Sequence, residues 1–257
     1  MLVRRFVWLL AGLLLSASAI GGYKPDPNAL IKDLQRLTQS QERMTMVLWL
    51  PPEFWRASLE SKGQMTPESV DRFVKEIDPY VIVAVADGQV GMIGSVNFAE
   101  PESLRSSVTI EGPEGKLLSA LPDSEISPGV RNLTQMMGPV LGNMLGALGT
   151  HVAFLVFPGT DKAGHLTVNA SKEGTFVVHV GTVAMRYTLP LGSLLPPMID
   201  AKSGETFPGN YRFNPFTGVK LLPAPRGAAQ PAPSPASEPI RQEQPTTEPV
   251  EHPSSQG

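Results

Sequence analysis

The residues best suited to chemistry in this chain are its histidines, because with no cysteine among 257 residues they are its only strong nitrogen ligands for a transition metal. The absence of thiols excludes disulfides, thiol catalysis and iron-sulfur ligation. If a turn at Lys172-Glu173-Gly174 pairs Ser171 with Thr175, His165 falls opposite Gly181 and diagonal to His179 on one sheet face, with Asp161 just upstream. His165, His179 and Asp161 together would offer the donor types of a divalent-metal site. Single histidines on strands are more often surface or hydrogen-bonded residues, so no metal and no cofactor is expected. The chain has no H-E-x-x-H, G-x-S-x-G, S-x-x-K, Walker phosphate loop or EF-hand loop. Ser95 after Gly94 has no evident histidine partner, and Asp71, Glu76 and Asp78 read as solvated carboxylates on or beside helix faces. No catalytic residue is assigned. An enzyme would need His151, His165 or His179 to converge with a carboxylate in a dispersed site.

A second pattern lies near the C-terminus. Residues 200–221 read DAKSGETFPGNYRFNPFTGVKL, in which Asp200 and Ser203 are spaced like Asn214 and Thr217, and each pair is followed by a glycine, Gly204 or Gly218. With Phe213, Pro215 and the closing Lys220-Leu221, this frame resembles a zinc ribbon, whose two knuckles run C-P-x-C-G. The resemblance implies that Asp200, Ser203, Asn214 and Thr217 occupy the four cysteine positions. Oxygen side chains of this kind do not replace thiolates as zinc ligands, so the segment is expected to be metal-free and held by packing. Phe207, Tyr211, Phe213 and Phe216 are the candidate interaction residues.

The elements around these residues follow from periodicity and punctuation. Asp26-Pro27 starts a helix whose apolar spacing runs to about Ser40, and Met44 to Leu50 reads as a buried strand. Pro52 opens a helix ending at Gly63, and Thr66-Pro67 opens another carrying Val70, Phe73, Val74 and Ile77. Tyr80 to Ala86 and Gln89 to Phe98 read as a hairpin turned by Asp87-Gly88, and Val108 to Glu111 with Lys116 to Leu121 as a second. A helix is predicted from Pro128 to Leu148, its Gly138, Gly142 and Gly146 forming a ridge for close approach. A strand follows at His151 to Phe157, then a meander of His165 to Ser171, Thr175 to Gly181 and Val183 to Leu189. Hairpins outnumber any βαβ repeat, which predicts an α+β fold with a mainly antiparallel sheet and several packed helices.

The ends set the expected organisation. Arg4 and Arg5, the apolar stretch Phe6 to Leu15 and Ala17-Ser18-Ala19 read as a signal peptide over 1–19. An α+β domain over 24–195 is followed by the ribbon-like appendage over 196–222 and a disordered proline-rich tail over 223–257. A formal charge of -3 gives no general attraction to nucleic acid, and no integral membrane span is expected in the mature chain. The sequence therefore predicts an exported bacterial protein, periplasmic or extracellular, that binds or supports another envelope protein through the appendage or tail. The alternative is a periplasmic hydrolase with a dispersed histidine and carboxylate site.

Overall fold

The structure is a computed structural model that describes residues 23–92, 95–145 and 147–225, and the side chains of all of these except 142–148. The signal-peptide expectation over 1–19 and all but the first three residues of the expected tail lie outside the described residues.

The Asp26 carboxylate accepts from the Asn28 N–H at 3.1 Å and starts helix α1 (Pro27–Leu34), which buries Leu30 and Leu34. The apolar period predicts a longer helix, but the chain turns extended at Gln35 and forms strand β1 (Gln35–Gln39) against β2 (Arg43–Trp49). The only apolar side chain beyond Leu34 in that stretch is Leu37, which is 55% exposed, so ladder pairing outweighs a helical stripe with nothing to bury. Helix α2 (Pro52–Lys62) stops at Gly63, whose φ of 61° suits the left-handed cap. Helix α3 (Pro67–Ile77) begins where the Thr66 hydroxyl accepts from the Ser69 N–H at 3.3 Å, and its Phe73 ring lies 5.7 Å from that of Trp55.

Strand β3 (Tyr80–Val90) runs straight through Asp87-Gly88, where a hairpin turn was predicted. Asp87 pairs with Thr45 in the ladder to β2, and Gly88 pairs with Phe98 of β4 (Val96–Phe98). The Asp87 carboxylate accepts from Thr45 Oγ1 at 2.6 Å and from Arg43 Nε and Nη2 at 2.8 and 2.9 Å. It thus serves the neighbouring strand rather than its own backbone, which removes the local bond that would favour a turn. Gly88 is required by close approach, since a Cβ there would sit 2.6 Å from Val96 Cγ1.

Helix α4 (Pro101–Ser107) leads into β5 (Val108–Glu111) and β6 (Leu117–Ser119), joined through Gly112–Gly115 as predicted. Helices α5 (Pro128–Leu145) and α6 (Ala147–Thr150) precede β7 (Ala153–Pro158), β8 (Gly174–Val180) and β9 (Val183–Leu189). The ridge expected on α5 does not make a close approach at Gly138, where a Cβ would meet nothing within 4 Å. Three short strands, β10 (Met198–Ile199), β11 (Thr206–Phe207) and β12 (Leu222–Pro223), close the described chain.

The strands form sheets in the orders β1-β2-β3-β4, with β7 on the other half of β3, then β6-β5-β8-β9 and β11-β10-β12. Every pairing is antiparallel, so the fold is α+β with mainly antiparallel sheets. The two large sheets touch at both margins: the Leu121 N–H donates to the Val156 carbonyl at 2.7 Å, and Arg36 Nε donates to the Arg186 carbonyl at 3.0 Å. Trp49 packs between them, its ring 4.6 Å from that of Phe176 and 5.6 Å from that of Tyr187. The buried Tyr187 hydroxyl donates to the Leu34 carbonyl at 3.0 Å, and burial pushes its phenol far above the usual range. No helix among the described residues is long and apolar enough to cross a membrane.

Candidate functional site

The histidines do not assemble as the predicted register requires. His165 to Ser171 is not a strand of the β8 sheet, where β8 instead pairs with β5 and β9. His165 lies in the loop after β7, where its Nδ1 is 3.1 Å from Asp161 Oδ2 and its N–H donates to Asp161 Oδ1 at 2.9 Å. The φ of 84° at Gly164 lets this loop fold back on the Asp161 carboxylate. His179 stands on β8 with Nε2 3.0 Å from Glu111 Oε2 on β5, and the His151 ring stacks on Phe98 at 4.6 Å. Each of the three histidines among the described residues thus has a partner of its own. Among the described residues no group of three or more histidines and carboxylates is placed to hold a metal.

A small cleft opens where α2 begins and α3 ends, bordered by Trp49, Pro51, Glu53, Asp78, Tyr80 and Asn169. Its volume of about 100 Å³ has room for roughly three waters, well short of the ~300 Å³ at which sites for drug-sized ligands begin. Burial raises the pKa of the Glu53 carboxyl, and the charge of Asp78 adds to the shift. Asp78, read from sequence as a solvated carboxylate, lines this cleft. Glu53 carried no sequence signal, because its environment comes from residues 78–81 and 166–170, which lie far along the chain.

The sign of a titration effect at Glu53 follows. An acid whose folded pKa is raised favours the folded state while protonated and opposes it once ionised above that pKa. Glu53→Gln therefore raises the melting temperature at pH 7.5. The difference shrinks as pH falls towards the ordinary glutamate value of 4.5, which paired thermal melts will show.

The C-terminal appendage has the most regular polar geometry. Asp200 Oδ1 accepts from the N–H groups of Lys202 at 2.9 Å and Ser203 at 3.4 Å, and Ser203 Oγ accepts from the Glu205 N–H at 3.2 Å. The second turn repeats the pattern: Asn214 Oδ1 accepts from Phe216 at 2.9 Å and Thr217 at 3.3 Å, and Thr217 Oγ1 accepts from Val219 at 3.4 Å. Gly204 and Gly218 each donate at 2.8 Å to the carbonyl at the start of their turn, with φ of 75° and 70°. Asn214 Nδ2 donates to Asp200 Oδ2 at 2.8 Å and clasps the two turns together, and both residues are only 2% exposed. This bond, followed by the backbone N–H of Lys202, holds the Asp200 carboxyl below its ordinary value.

Asp200 and Ser203 lie in the first of these turns, and Asn214 and Thr217 in the second. Phe207 differs from the other aromatic candidates. It is buried, with its ring 6.4 Å from that of Tyr211, because β11 turns it into the appendage interior. Tyr211, Phe213 and Phe216 remain 41%, 56% and 72% exposed. This segment is fastened to the chain before it where Gly209 N–H donates to the Gly192 carbonyl at 3.1 Å and Asn210 Nδ2 to the Pro190 carbonyl at 3.1 Å.

A depressed carboxyl pKa contributes stability above its unfolded value and loses it as pH falls through the folded value. Protection of the Gly204 and Gly218 amides from hydrogen exchange should therefore persist at pH 5 and decline below the ordinary aspartate value of 3.8. An Asn214→Leu variant, which lacks the clasp, shows weakened protection already at pH 5.

Comparison of the chain with family models, with curated proteins and with solved structures finds no match.

Proposed function

We propose that this chain is an exported, non-enzymatic binding protein of the bacterial cell envelope, and that its appendage is a zinc-ribbon frame in which hydrogen bonds replace the metal. Support for the frame comes from the duplicated turns and the Asp200–Asn214 clasp. Support for export comes from Arg4, Arg5, the apolar stretch after them and Ala17-Ser18-Ala19. The observation that carries the binding role is the exposure of Tyr211, Phe213 and Phe216 within six residues of a firmly bonded turn. Aromatic side chains are favoured anchors at interfaces, because they add large contact area at small entropic cost.

The test places a photo-crosslinking benzoylphenylalanine at position 216 of the full chain, expressed in a bacterial host. The control carries it at Leu117, which is 60% exposed on β6. A discrete crosslinked envelope protein from position 216 alone, reduced by Phe213→Ser, is the expected result. Equal products from both positions, or none, would overturn the binding role. The recovered chain should begin at Ile20, and recovery of an N-terminus at Met1 would overturn the reading of residues 1–19 as a cleaved signal peptide.

A further inference from the structure

The exposed aromatics have a candidate occupant within the same chain. The last short strand, β12, ends at Pro223, and the Ala224 N–H donates to the Pro197 carbonyl at 2.9 Å, so the chain leaves the described structure from the appendage itself. Beyond Pro225 the sequence continues RGAAQPAPSPASEP, with Pro231, Pro233, Pro235 and Pro239. Proline-rich chain favours an extended helix of three residues per turn, which docks on aromatic surfaces with little ordering cost. Prolines at alternate positions fall on all three edges of such a helix, so any rotation of the segment presents one to the rings.

Reach and charge agree with this pairing. Pro231 lies six positions beyond Pro225, an offset that spans up to about 19 Å at ~3.1 Å per residue and allows a return to the neighbouring turn. Arg212 and Lys220 flank the aromatics and are exposed, Lys220 bridging to Phe213 and Arg212 Nη2 lying 3.6 Å from Glu173 Oε1. The chain after Pro225 carries Glu238, Glu243, Glu248 and Glu251 against Arg226 and Arg241, and Glu238, within the docking segment, supplies a charge that complements Lys220. A tether this short gives an effective concentration on the order of millimolar, so an intrinsic affinity in that range suffices to keep the surface substantially covered.

We propose that residues 231–239 dock in cis on Tyr211, Phe213 and Phe216 and compete with the external partner for that surface. The inference rests on the reading of this aromatic turn as the binding surface. It makes the tail a regulator of access.

The test uses the full chain with fluorophenylalanine at position 216, and compares it with the same chain carrying Pro231→Ser, Pro233→Ser, Pro235→Ser and Pro239→Ser. A fluorine label at the buried Phe176 reports that the fold is unchanged. The expected result is a fluorine shift at 216 that differs between the two chains and is the same over a hundredfold dilution. No difference would overturn the proposal. A difference that disappears on dilution would overturn it in favour of a second copy as the occupant. In the crosslinking experiment the proline-substituted chain should give a severalfold higher yield from position 216. If both chains crosslink equally, cis docking fails while the binding role stands, and if neither does, the binding role fails as well.

Discussion

A chain carrying Asp200→Cys, Ser203→Cys, Asn214→Cys and Thr217→Cys binds a single zinc ion with high affinity. The reason lies in the backbone around those side chains. The side chain at each of the four positions already accepts N–H groups from the residues that follow it, in a pattern that repeats between the two turns. The direct Asn214-to-Asp200 bond of 2.8 Å shows that the leading side chains of the two turns meet in the interior. Thiolates placed there would be stabilised by the same amides, those at 200 and 214 facing each other and those at 203 and 217 lying on the exposed side of their turns. Structural zinc sites in small fingers supply about 10 to 16 kcal/mol of apparent binding energy at neutral pH, so the effect is large if the frame is a ribbon. Competition with a chromophoric chelator measures the affinity, and X-ray absorption should show four sulfurs at about 2.3 Å. Weak binding, or sulfur coordination by fewer than four ligands, would show that the two turns resemble knuckles without sharing their geometry.

Trp49→Ala should produce the second large change, a loss of about 3 to 5 kcal/mol in unfolding free energy. Trp49 is 1% exposed and contacts Phe176 and Tyr187, so its removal leaves a cavity between the two large sheets. The surroundings have little freedom to collapse, because Tyr187 is fixed by its bond to the Leu34 carbonyl and Arg36 lies 4.4 Å over its ring. Urea unfolding followed by circular dichroism measures the loss. A change below about 1 kcal/mol would place Trp49 outside the cooperative core.

The elements legible in the sequence were those whose signals are local. Proline at N1, the Thr66 cap, Gly63 past a helix end and the Gly112–Gly115 turn all act within a few residues, and each forms as expected. The failures in strand and turn assignment share one cause, which is a partner strand that the periodicity of a segment does not display. Gln35–Gln39 becomes a strand because β2 is beside it, and Asp87-Gly88 stays extended because Arg43 and Thr45 claim the carboxylate. The His165, His179 and Asp161 set needed a strand before β8, but a register argument has no means of seeing that β5 occupies that edge. In the segment 200–221, by contrast, the resemblance to zinc-ribbon knuckles pointed to Asp200, Ser203, Asn214 and Thr217, and these lie in tight turns that tie side chain to backbone over two or three residues. The burial of Phe207 and the cleft at Glu53 depend on packing, which the sequence does not display.

The Leu34 carbonyl and the Asp33 and Arg36 side chains find their partners at Tyr187, Ser193 and Arg186, between 150 and 160 residues further along the chain. Contacts of such sequence separation slow folding, because the intervening loop must close before they form. A chain that emerges N-terminus first keeps α1 and β1 without these partners until β9 and the turn at Ser193 have also appeared. The packing of α1 and β1 against β9 is therefore completed late in the chain's emergence, and until then the leading segment stays open to contacts other than its final ones.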